Sequence, residues 1–352
     1  MKRNKTIDIA KGMCIICMII VHFFSWWGKY PEFNKYVGVF FLVFFFIASG
    51  FFFKTPIDYK KYIYKRIKKL LVPYIIFTLI YLLYISFQRG SLFGPDYINT
   101  LKTIFASLIT ALPAEFNRVL WFDQSTIGIG PIWFLNCLFF TNMIYILINK
   151  TKHKFLLSLV VAIIGQLTQK IILIPFNIQV ALIGCLFFAI GDCGKNKISQ
   201  YVEFLKKKTL KINFLLLIVE LSIYYFTINY LPHQWMNLGQ NSYEIISIIS
   251  TLVGVTILLS VSIIVEKTEF IEEFFNNYGK DSMFILILHN LDILILRNWN
   301  YCTWEFLVAT ILGYYFINYI KNRIELKIES VKLRKNNLLS DNDSNKQENV
   351  YI

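Results

Sequence analysis

From Ile7 to Trp27 the chain reads IDIAKGMCIICMIIVHFFSWW. An apolar run of roughly 20 residues is what a helix needs to cross the hydrocarbon core of a bilayer. The run is followed by aromatics and a Gly-Lys-Tyr-Pro turn, without a small-residue cleavage site, so it reads as a retained helix rather than a secretion signal.

Working outward, the same pattern recurs nine more times. The further spans run from Tyr36 to Phe53, Leu70 to Phe87, Ile132 to Ile148, Phe155 to Ile174 and Ile178 to Ile190. Then come Ile212 to Ile228, Ile245 to Val265, Ser282 to Leu296 and Trp304 to Ile320. The sixth and ninth are short for a crossing. Composition agrees. Of 352 residues, 56% are hydrophobic and 16% charged, against about 25% charged in an ordinary soluble domain. The expected fold is an all-α polytopic membrane protein of about ten transmembrane helices.

The net charge of +14 does not indicate nucleic acid, because the basic residues lie between the spans. With the N-terminus in the cytoplasm, Lys2, Arg3 and Lys5, the Lys60–Lys69 loop, the Lys150–Lys154 loop, the Lys195–Lys208 loop and the tail after Ile320 all fall on one side. That is the positive-inside pattern. It places both termini in the cytoplasm, with basic loops facing anionic lipid, and the expected location is the cell (plasma) membrane. Residues 1–320 form the transmembrane domain. Residues 321–352 form a basic tail, interfacial as far as Lys335 and disordered from Asn336.

Two external segments stand out. Gln88 to Gly130 contains an apolar stretch, Leu101 to Leu112, too short to span and read as a surface or re-entrant helix. Leu231 to Tyr243 is polar. Cys14 and Cys17 make a CxxC inside an apolar helix with no second ligand pair, which reads as packing, and no metal site is expected.

An ionisable group inside a bilayer costs about 2.5–3.5 kcal/mol or more. Lys11, His22, Glu220, His289 and Asp292 each need a reason to be there. Lys11 and His22 lie eleven residues apart, which on a helix is within roughly 20° of one face and about 16 Å along the axis. Asp8 shares that face and can pair with Lys11. Spacing alone leaves two readings open: a snorkelling lysine with a satisfied core histidine, or a cation and a base on one functional stripe. His289 and Asp292 sit three apart, so a carboxylate there either orients a working imidazole or satisfies a buried one. Glu220 has no assignment. Ser49-Gly50, ending the aromatic run FFLVFFFIASGFFF, permits close helix approach or lets a ligand reach the backbone. Lys65, Arg66 and Lys69 precede Leu70-Leu71-Val72-Pro73-Tyr74 as topology signals or as a phosphate-binding cluster.

Taken in order, these pieces resemble the acyltransferase-3 family of membrane O-acyltransferases, and most closely its fucose 4-O-acetylase-like branch. Lys11 and His22 match a basic-X10-His motif, with lysine where many members have arginine. Gly130 to Leu135, Leu186 to Gly191, Met236 to Tyr243 and Gly279-Lys280-Asp281-Ser282 with His289 continue the series. The resemblance implies transfer of an acyl group, usually acetyl, from cytoplasmic acetyl-CoA to a carbohydrate hydroxyl. It makes His22 and Lys11 the catalytic residues, His22 as the base and Lys11 at the cytoplasmic mouth, where it also meets the donor phosphates. Arg66, Lys69 and Lys65 would hold the donor phosphates and Ser49 would line the path. Asp8, His289 and Asp292 would be accessory. Implied partners are a cell-surface polysaccharide or its lipid-linked precursor, and glycan-assembly proteins. A transporter or flippase of lipid-linked sugars would also use ten spans and intramembrane charges, but would not account for the ordered motifs.

Overall fold

The computed structural model describes residues 4–113, 116–119, 124–171, 173–231, 247–299 and 303–348. The elements in order are α1 (Lys5–Trp27), α2 (Pro31–Gly38), α3 (Phe41–Phe51), α4 (Tyr59–Arg66), a π-helical turn (Ile67–Leu71), α5 (Val72–Gln88) and α6 (Tyr97–Thr110). A short antiparallel pair follows, β1 (Phe116–Val119) and β2 (Gln124–Thr126). Then come α7 (Trp133–Ile148), α8 (Lys154–Ile171), α9 (Ile178–Cys193), α10 (Lys195–Lys207), α11 (Leu210–Tyr230), α12 (Ser247–Val265), α13 (Glu269–Lys280), α14 (Ser282–Trp299) and α15 (Trp304–Glu348).

Each of the ten expected spans falls on a helix. Among the described residues, seven stretches are long and apolar enough to cross a membrane. The other three expected spans lie on α8, α14 and α15. The sixth span is longer than its sequence suggests. A 3-10 turn at Pro175–Asn177 leads straight into α9, so the apolar stretch runs 19 residues from Pro175 to Cys193. α15 stays helical through Glu348, across the change of composition at Asn336. The polar loop expected at Leu231–Tyr243 lies, after Leu231, outside the described residues.

Contacts between loops sort into two ends, as the ten-span scheme requires. At the basic end Lys5 pairs with Glu272 at 2.7 Å, Lys206 with Glu266 at 2.8 Å and Lys321 with Asp281 at 2.8 Å. Asp192 binds both Lys154 and Lys195 at 2.6 Å and accepts a hydrogen bond from the Tyr145 hydroxyl at 2.8 Å. At the other end Lys35 donates to Asn229 at 2.8 Å, and Trp304 packs on Phe24 and Tyr30.

α1 is the central strut. Asn4 caps it by accepting from the Ile7 N–H, with Asp8 in the first turn, where the helix dipole favours a negative charge. Gly28, in the left-handed conformation at φ 64°, ends it. Between these ends α1 packs against α3, α12, α13 and α14 and is largely buried. α11 is the opposite case. Phe214, Leu215, Ile218, Val219 and Phe226 are all exposed, the apolar surface a bilayer would cover. α6 bears out the short helix read at Leu101–Leu112. It buries Thr100, Ile104, Ser107 and Thr110, and Tyr74 donates to its Leu108 carbonyl at 2.6 Å.

Glu220 is not isolated. The Tyr201 hydroxyl donates to it and lies 3.0 Å from Ser260, tying α11 to α10 and α12.

Candidate active site

Lys11, Ile15, Met18, His22 and Ser25 line one cavity of about 540 Å³. Their spacing alternates four and three, so they form a single stripe along α1, about 21 Å from first to last at 1.5 Å per residue. Phe41, Phe45 and Ser49 of α3, with Phe52 just after its end, form a facing stripe. The remaining wall comes from the segment around Arg66 and Lys69, from α7 at Trp133 and Phe134, and from the junction of α13 and α14. A cavity of this size is ordinary for a small-molecule site.

One end of the cavity is cationic. Lys11 binds the buried Asp8 at 2.6 Å. Arg66 is half-buried and lies over the Tyr62 ring, 4.8 Å from its centroid. Lys69 and Lys280 complete the group. Asp281 also lines the cavity, but its carboxylate is held by Lys321.

The placement of Arg66 and Lys69 follows from a proline. Pro73 has no N–H for the Lys69 carbonyl, and its ring would crowd that carbonyl in a regular helix. The chain widens just before it into the π-helical turn, where the Val72 N–H reaches back to the Ile67 carbonyl. Such turns often mark functional positions.

His22 lies toward the other end, about 16 Å along α1 from Lys11 and about 4.5 Å from Ser25. Beside it, Ser25 accepts from the Asn34 amide at 2.9 Å and donates to the Val21 carbonyl. Gly38, Pro113, Pro131 and Trp133 border the same cavity. His289, from α14, places its ring centroid 5.5 Å from that of His22, tilted by 48°.

An acyltransferase domain matches residues 4–320. The chain belongs to the acyltransferase-3 family. It is a multi-pass membrane acyltransferase. Comparison with curated proteins and with solved structures returned no match.

In this acyltransferase-3 protein, several motif pieces have a packing reason. A Cβ on Gly50 would overlap the Phe188 carbonyl, and one on Gly191 would overlap the Ile47 carbonyl. α3 and α9 therefore cross with backbones in contact at both glycines. The sequence reading of Ser49-Gly50 as a close-approach pair is thus met by Gly50, while Ser49 faces the cavity. A second crossing is built the same way: a Cβ on Gly12 would overlap the Phe275 carbonyl, and one on Gly279 the Asp8 carbonyl. That crossing fixes the end of α13 against the start of α1.

Of the residues singled out from sequence, the acyltransferase fold brings Lys11, His22, Ser49, Arg66 and Lys69 to one cavity, with Asp8 behind Lys11 and His289 behind His22. Lys65 is exposed and is not part of the described lining. Asp292 lies on α14, but its side chain is outside the described residues. Lys280 was missed as a ligand candidate. In sequence it is one residue of a Gly-Lys-Asp-Ser element, and only the fold shows that it lines the same cavity as Lys11.

Proposed function

We propose that this acyltransferase moves acetyl from acetyl-CoA to a hydroxyl of a cell-surface polysaccharide or its lipid-linked precursor, in the plasma membrane. The ordered motifs favour the fucose 4-O-acetylase-like branch of the family. The observation that carries the reading is the α1 stripe: a cation and an imidazole on one wall of one cavity, at opposite ends.

In this reading the donor enters from the cytoplasm. Its phosphates meet Arg66, Lys69, Lys280 and Lys11, and its thioester arm runs past Met18 to His22. The acceptor hydroxyl approaches from the other end, past Trp133, an aromatic face suited to a sugar ring. The hydroxyl oxygen attacks the thioester carbonyl carbon while His22 takes its proton. The carbon–sulfur bond breaks, and the departing thiolate takes that proton from His22. The products are the O-acetyl ester and free CoA, and the base returns to its starting state.

The test is acetyl-CoA turnover by membranes carrying wild type beside His22→Ala. A positioned general base contributes about 10²–10⁴-fold, so the variant should lose at least a hundredfold in kcat and leave the glycan without O-acetyl groups, at unchanged protein level. Full acetylation by His22→Ala would refute the assignment. Blocked glycan export with acetylation intact would favour a transporter instead.

A further inference from the structure

Arg66 carries its charge without a counter-ion. Among the described residues no carboxylate forms an ion pair with it, whereas Lys11 is bound by Asp8 at 2.6 Å. Its neighbour is the half-buried Tyr62 ring, four residues back on α4, with the guanidinium carbon 4.8 Å from the ring centroid. An aromatic face attracts a cation without neutralising it. A carboxylate in the same place would compete with any phosphate that a ligand brought.

A tyrosine four residues before a cation is an ordinary helix-surface pair, and the chain has one alongside. Lys68 lies over Tyr64 at 4.7 Å, and both are exposed. Tyr62 differs because its ring is anchored. Phe53, itself buried, meets it edge-on, at 6.2 Å and 83°. The Tyr62 hydroxyl donates to the side-chain oxygen of Asn142 at 2.8 Å. Asn142 is buried on α7, and its amide nitrogen donates to the Leu138 carbonyl at 2.7 Å. Both ends of that amide are therefore engaged, and its orientation is fixed. Leu138 lines the cavity, while Tyr62 is not part of the described lining. Contacts thus run from the α7 wall through Asn142 and Tyr62 to Arg66. Arg66 is also the last residue of α4, where the regular helix gives way to the π-helical turn. A long side chain loses rotamer freedom when it closes on a ligand, and a ring that already holds it removes part of that cost.

We infer that Tyr62, anchored by Asn142, is a positioning residue for the donor: it presents the Arg66 guanidinium to the phosphates of CoA without touching them. This rests on the reading of Arg66 as a donor-phosphate ligand. Tyr62 enters no step of the transfer, so its effect belongs to binding and not to kcat.

The experiment uses the full-length protein in detergent. It compares wild type with Tyr62→Phe, Tyr62→Leu, Arg66→Met and the double variant Tyr62→Leu/Arg66→Met. It reads Kd for CoA by equilibrium dialysis, and kcat and KM for acetyl-CoA. Neither Kd nor KM depends on how much of the protein survives folded. Tyr62→Leu should weaken CoA binding about fivefold, the worth of a cation–π contact at a half-exposed site, with kcat within about twofold of wild type. Tyr62→Phe keeps the ring face and should stay within about twofold of wild-type Kd. In the Arg66→Met background, Tyr62→Leu should change Kd by less than about 1.5-fold, because Tyr62 acts through Arg66. Wild-type Kd in Tyr62→Leu, with Arg66→Met weakened, would overturn the inference and leave Arg66 as a ligand. So would an equal loss in both backgrounds, which would mark Tyr62 as packing alone. If Arg66→Met itself binds CoA as wild type does, the phosphate reading of Arg66 fails and the inference falls with it.

Discussion

The cationic end of the cavity makes a graded prediction, because its members differ in exposure. Arg66 is half-buried, with its guanidinium over Tyr62, while Lys280 is exposed. A hydrogen bond to a charged group in a sheltered site contributes about 1.5–3 kcal/mol, which converts to roughly ten- to 150-fold in binding at 1.4 kcal/mol per tenfold. An exposed charge contact is screened to about 0.2–1 kcal/mol, or roughly 1.4- to fivefold. Arg66→Met should therefore raise KM for acetyl-CoA at least tenfold, and Lys280→Met only a few-fold. In both, kcat should change little, since phosphate binding is shared by ground and transition states. The assay is steady-state turnover in detergent at two ionic strengths, and the Lys280 effect should shrink at the higher salt. The same pair can be tested with dephospho-CoA thioesters, which lack one phosphate. A fall in kcat at constant KM, or a Lys280 effect as large as that of Arg66, would refute an anion clamp ordered by burial.

The glycine crossings predict a sharp contrast. Gly279→Ala forces a methyl against the Asp8 carbonyl and should destabilise by about 1–3 kcal/mol, as overpacking does, whereas Gly313→Ala meets nothing within 4 Å and should be neutral or gain up to about 1 kcal/mol in helix propensity; unfolding temperatures in detergent decide it. Asp192→Asn leaves Lys154 and Lys195 facing each other without a counter-charge. Their side chains are 34% and 25% exposed, so the loss should be about 1–2 kcal/mol rather than the 3–5 of a fully buried pair. Because Asp192 is not part of the described cavity lining, the surviving folded fraction should keep its kcat.

The spans, and the gathering of the basic loops at one end, were legible in the sequence, because hydropathy and lysine placement are one-dimensional signals. The stripe from Lys11 to His22 was legible for a similar reason: on a helix, spacing is geometry. What could not be read was anything that depends on which helices touch. Gly50 announced a close approach without naming Gly191 as its counterpart. Glu220 looked solitary until Tyr201 and Ser260 stood beside it. The ring pair of His22 and His289 joins the first helix to the fourteenth. The sequence offered Asp292 as the nearer companion of His289 and gave no sign of His22. The sixth span, read as Ile178 to Ile190, is longer in the fold because the turn at Pro175–Asn177 feeds directly into α9.

The α1 stripe has a consequence for how donor size is measured. Lys11 and His22 belong to one rigid rod, so the interval between them stays constant while neighbouring helices breathe. Any adjustment to a longer or shorter acyl group must come from the facing wall, where Phe41, Phe45 and Phe52 stand. On the proposed reading the labour of recognition is divided: one helix is a fixed ruler for the carrier, and the aromatic wall opposite is an exchangeable gauge for the cargo.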